Sequence, residues 1–113
     1  MPSSEKEPAY GYLRLIDVPD DEVEVLEKQL REYAHAHNLR LLDIHHDRGR
    51  GLSVGQVVAM LQRGGIQHLV VPSLEHVSSH PIVRMVFCEA VYLDAGAEVH
   101  EVLGEQDQSE HSD

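Results

Sequence analysis

Tyr10-Gly11-Tyr12-Leu13-Arg14-Leu15-Ile16-Asp17 is the stretch on which the fold turns. It is short, aromatic and aliphatic, with Pro8 on one side and Pro19-Asp20-Asp21 on the other, a pattern that favours a buried strand over a helix. A full positive charge among such neighbours is costly unless its head reaches a polar site or water. Arg14 therefore marks the strand end that faces a cleft.

Working outward, Asp20 is a helix N-cap by type, and Val23, Leu26, Leu30, Tyr33 and Ala34 recur at helical spacing while Glu24, Glu27, Lys28, Arg31 and Glu32 face away. The predicted helix of about five turns ends near Asn38, which tolerates the left-handed conformation. Residues 39–44 read as a second strand, ended by His45-His46-Asp47. Ser53 and Gln56 form a capping-box pattern that opens a second helix with Val54, Val57, Val58 and Leu61 inward, and Gly64-Gly65 stops it. Residues 66–71 make a third strand, apolar enough to be buried on both faces. After a loop at 74–80, Pro81 suits the first turn of a third helix, with Ile82, Val83, Val86, Phe87, Ala90 and Leu93 as its apolar face. Gly96 ends it before a fourth strand at 98–102. Strict alternation of this kind predicts an α/β fold: a small three-layer sandwich with a mostly parallel four-stranded sheet and helices on both faces. Ligand sites in such sheets lie beyond the carboxyl ends of the strands, where Arg14, Asp47, Arg48 and Glu75 would meet.

Two motifs resemble those of the serine recombinases, the resolvase and invertase family. Tyr12-Leu13-Arg14-Leu15 matches the family's Y-x-R-V-S strand, but Ile16 stands at the position of the nucleophilic serine. Val71-Pro72-Ser73-Leu74-Glu75-His76-Val77-Ser78-Ser79 resembles its V-P-x-L-D-R-L-x-R run, with Glu75 at the aspartate and with His76 and Ser79 at the two arginines. The resemblance, which spans roughly residues 9–102, implies a resolvase-like sheet and a chemistry in which a serine attacks DNA phosphorus while arginines stabilise the phosphoryl oxygens. Arg14 and Glu75 are the family-matched remnants. Asp47, Arg48, Arg50 and His76 are cleft candidates, Arg48 and Arg50 being possible stand-ins for an arginine without a clear counterpart. No catalytic residue is expected. The family's long dimerising helix and DNA-binding module do not fit after Val102 within these 113 residues.

Composition points the same way. Nine Lys and Arg against 20 Asp and Glu give a net charge of −11, which disfavours the phosphate contacts that DNA binding needs, although the resemblance keeps DNA open as a partner. The expected division is a flexible N-terminus at 1–8, one resolvase-like domain at 9–103 and a disordered acidic tail at 104–113. No apolar run reaches membrane-spanning length, so a cytoplasmic protein without membrane contact is expected. Cys88 lies among apolar neighbours and reads as an inert core thiol.

Ser53, Ser73, Ser78 and Ser79 have cap or loop explanations and no accompanying base. Nine histidines invite a metal reading, but His76 and His80 are separated by the bias that Pro81 imposes, and His35 and His37 point to different faces. No metal and no cofactor are expected. The one arrangement worth a test is His45 or His46 with His76 across the cleft. The function expected is a catalytically inactive recombinase-like binding or regulatory module, with a homo-oligomer or protein partner docking on the helix at 82–93. The alternative is a residual phosphodiester-processing domain with a rewired cleft.

Overall fold

The computed structural model describes residues 6–49 and 53–103; Arg50 and the tail expected at 104–113 lie outside them. The elements run β1 (Glu7–Arg14), α1 (Asp20–Ala36), β2 (Leu39–Asp47), α2 (Val54–Gly64), β3 (His68–Val71), α3 (Leu74–Val77), α4 (Pro81–Ala95) and β4 (Glu98–Glu101). All four strands are parallel, in the order β2-β1-β3-β4.

Because side chains alternate across a strand, each central strand feeds two cores. Tyr12, Leu69 and Val71 pack with Val57 and Leu61 of α2 and Phe87 and Val91 of α4 on one face. Ala9, Leu13 and Val70 pack with Val23, Leu30 and Ala34 of α1 on the other. The three-layer α/β expectation thus holds, with a sheet that is parallel throughout. Gly11 sets how closely α1 approaches, since a Cβ there would meet Leu30 Cδ1 at 2.9 Å and Ile44 Cγ1 at 3.1 Å.

Helix ends follow local chemistry. Ser53 accepts from the Gln56 amide, Gly65 and Gly96 close α2 and α4 with positive φ, and Asn38 takes φ 60° after α1. At the start of α1 the cap is Pro19 rather than Asp20, and no side chain caps it. Asp20, Asp21 and Glu22 instead occupy the first turn, where carboxylates complement the helix dipole.

Four differences from expectation bear on the site. β1 starts at Glu7, inside the segment expected to be flexible, and stops at Arg14, leaving Ile16 43% exposed beyond it. β2 continues through His45-His46-Asp47 instead of ending at residue 44, because β1 keeps offering ladder partners: Tyr12 pairs with His45, Leu13 with His46 and Arg14 with Asp47. Within the loop expected at 74–80, α3 forms one helical turn capped by Ser73, which accepts from the His76 amide at 3.1 Å. α4 buries Phe87 and Val91, whereas Ile82, Val86 and Leu93 of the expected inward face are exposed, as are Met85 and Tyr92. The helix is apolar nearly all round, so its sequence could not say which side meets the sheet.

Candidate functional site

β1 and β3 are neighbours although α1, β2 and α2 intervene in sequence, so the strand order switches direction between them. The carboxyl ends of these strands are where an open sheet of this kind opens a crevice. A cleft of about 640 Å³ lies there, walled by Arg14 at the end of β1, by Ile16 and Val18 beyond it, by Glu75 to His80, and by Val83 of α4.

Arg14 is the centre of a polar network. Its guanidinium pairs with Asp47 at 3.2 Å, and both side chains are mostly buried, 13% and 15% exposed. Asp47 also accepts from the Tyr12 hydroxyl at 2.5 Å and from the Gly49 amide at 2.9 Å. Burial pushes the Asp47 carboxyl up, but the Tyr12 hydroxyl, the Gly49 amide and Arg14 together outweigh it, and the carboxyl is held below its usual range. The Tyr12 phenol is pushed up by burial and by donating to Asp47, so it stays a neutral donor. Of the two carboxylates expected beside Arg14, Asp47 and Glu75, the structure brings only Asp47 to it. Glu75 is exposed on the cleft wall, and Asp17 is exposed in the left-handed turn after β1.

His76 has a backbone task. β3 pairs with β1 only through Tyr10 and Gly11, so the Arg14 amide has no strand partner on that side and donates to His76 Nε2 at 3.0 Å. On the other side, the Leu15 amide donates to the Asp47 carbonyl at 2.9 Å. Burial, followed by the positive charge of Arg14, lowers the His76 pKa and outweighs Glu22, which raises it. His76 is thus a neutral acceptor and not the cation that the family pattern has at its position.

Ser78 and Ser79 line the cleft, but Ser78 Oγ accepts from the His80 amide at 3.1 Å, and the lone pair of His76 Nε2 is taken by the Arg14 amide. Ser53 and Ser73 are helix caps. Arg48 is exposed and is not part of the cleft wall. Cys88 is half-buried and its thiol is pushed up by burial and then by Glu101, which keeps it inert.

The histidines do not converge as the sequence-based test arrangement required. His45 stacks on Tyr12, His46 pairs with Glu27 of α1 at 2.6 Å, and His76 holds Arg14. Adjacent strand residues point to opposite faces, which separates His45 from His46. A cluster that sequence reasoning missed, His68 with Glu98 and His100, lies elsewhere, where β3 and β4 pair.

Two solved structures match over most of the chain. The C-terminal catalytic domain of ISC1926 TnpA, an IS607-like serine recombinase, superposes with a TM-score of 0.68 at 13% identity, covering 92% of this chain and 77% of that one. The N-terminal catalytic domain of TP901-1 integrase gives 0.71 at 12% identity, covering 87% and 78%. The fold is that of a serine-recombinase catalytic domain. No family model and no curated protein matches the sequence. The match confirms the resolvase-like sheet expected from Tyr12 to Leu15 and from the run starting at Val71. At this identity it speaks for the fold and leaves the chemistry to the residues in the cleft. No helix among the described residues is long and apolar enough to cross a membrane.

Proposed function

We propose that this chain is a non-catalytic member of the recombinase fold, a cytoplasmic binding module that has kept the sheet and lost phosphodiester exchange. One observation carries the proposal. Ile16, exposed at the cleft wall, stands where the family motif has its nucleophile, and the one matched arginine, Arg14, is already neutralised by Asp47. Among the described residues, a phosphodiester in the cleft would meet no hydroxyl hydrogen-bonded to a base, and Arg14 could turn to it only by leaving a mostly buried carboxylate unpaired.

The binding surface proposed is α4. Ile82, Met85, Val86, Tyr92 and Leu93 lie along one side, 47–72% exposed. A second copy is the proposed occupant. The two most exposed side chains, Ile82 and Leu93, sit near opposite ends of the helix with Val86 between them, so antiparallel packing about a two-fold axis sets Ile82 of each copy against Leu93 of the other. DNA is disfavoured as the occupant of either surface by the net charge of −11. The test is twofold. Sedimentation equilibrium should show a reversible dimer, and supercoiled plasmid incubated with the protein should be neither nicked nor relaxed. A monomer at high concentration refutes the interface, and plasmid nicking above a chelator-treated buffer control refutes the loss of chemistry.

A further inference from the structure

We propose that His68, Glu98 and His100 form a binding site for a zinc-class divalent cation on β3 and β4, apart from the residues that wall the Arg14 cleft. All four strands are parallel, and Glu7, His68 and Glu98 each begin one, whereas Arg14 ends β1. His68 pairs in register with Glu98 and Val70 with His100, so Glu98 and His100, two residues apart, project from the same face of β4 beside His68.

The two imidazoles are oriented by their outer nitrogens. His68 Nε2 bonds the Glu7 carboxylate, and His100 Nδ1 lies 3.3 Å from the Tyr33 hydroxyl on α1. This leaves His68 Nδ1 and His100 Nε2 facing one another at 3.0 Å, with Glu98 Oε1 3.9 Å from His100 Nε2. The three ligand atoms all lie within 4.8 Å of one another. A tetrahedral ion bound at about 2.0–2.2 Å needs ligand atoms roughly 3.3–3.6 Å apart, and the observed separations bracket that spacing. Both histidines are mostly buried and Glu98 is exposed, so the rings are fixed and the carboxylate is free to close on the ion.

A carboxylate or hydroxyl on the far nitrogen is the usual support of a metal-bound histidine, because it fixes the tautomer and aims the lone pair inward. Here each of the two rings has one. Two neutral nitrogens and one carboxylate suit Zn(II) better than Mg(II) or Ca(II), which take oxygen ligands, and three protein ligands leave a fourth position for water. The site is independent of the lost recombinase chemistry and does not rest on the proposed function.

The experiment is calorimetric titration of the chelator-treated full chain with Zn(II), alongside Co(II) as a spectroscopic probe. Expected is saturable binding at one equivalent, an intense visible Co(II) absorption typical of four-coordinate geometry, and no competition from Mg(II). His100→Gln should abolish the site, Glu98→Gln should weaken it at least tenfold, and Tyr33→Phe should weaken it about 10–100-fold through loss of ring support. Glu98 is exposed, so its variant reports even if His100→Gln fails to fold. Equal affinity in parent and Glu98→Gln, a pale six-coordinate Co(II) spectrum, or no saturable binding would each overturn the proposal and leave a simple hydrogen bond between the rings.

Discussion

Replacing Arg14 with alanine isolates the network that the cleft is built on. The guanidinium is 3.2 Å from Asp47 and both side chains are mostly buried. Breaking a buried pair by removing one partner typically costs about 3–5 kcal/mol, because the remaining charge is left without compensation. Asp47 would still hold the Tyr12 hydroxyl and the Gly49 amide, so part of that penalty is offset and the expected loss is about 2–3 kcal/mol. With a urea slope of about 1–3 kcal/mol per molar, the unfolding midpoint should fall by roughly 1–3 M. A double-mutant cycle with Asp47→Asn sharpens the assay. In the Arg14→Ala background the carboxylate is already unpaired, so neutralising it should cost much less than in the parent. An unchanged midpoint in Arg14→Ala, or two losses that simply add, would show that the pair is not what holds the cleft together and that Arg14 is kept for a ligand.

Stability should fall in acid in two stages. The depressed pKa of His76 means that the unfolded chain binds the extra proton first, so stability drops as pH falls below about 6.5, and His76→Gln should remove that stage from a series of urea midpoints. The depressed Asp47 carboxyl contributes stability that is full above about pH 5 and is lost as pH falls through its folded value, and Asp47→Asn should flatten that second stage. Ile16→Ser should leave plasmid untouched in a nicking assay, because Arg14 stays on Asp47 and His76 stays neutral. Leu93→Glu should give a monomer by sedimentation, with a urea midpoint equal to the parent's when both are measured at a concentration where the parent is monomeric too, since Leu93 is 72% exposed and contributes little to the core.

Periodicity carried most of the fold. Turn chemistry placed Gly65, Gly96 and Asn38 correctly, and the apolar spacing of Val57, Leu61 and Val71 identified core positions on two elements. What it missed depends on strand pairing. Nothing local in His45-His46-Asp47 says that the strand continues; it does so because β1 lies beside it, and that continuation delivers Asp47 to Arg14. The inward side of α4 was equally illegible, since a helix with apolar residues on most sides has no unique buried stripe. His68 and His100 are 32 residues apart, and only the β3–β4 register makes them neighbours. Ile16 and Arg14, by contrast, stood out from the sequence because one stands at the serine position of a motif that the chain resembles and the other sets a charge at the end of an apolar strand.

Intact-protein mass spectrometry after incubation with supercoiled plasmid and nuclease trimming tests the central claim most directly, because a serine that attacks DNA phosphorus becomes covalently linked to it. The unmodified mass alone is expected, in the parent and in Ile16→Ser. A nucleotide adduct on any serine of the parent, above all on Ser78 or Ser79 at the cleft wall, would contradict the account and show that this fold has rebuilt its chemistry around a different hydroxyl.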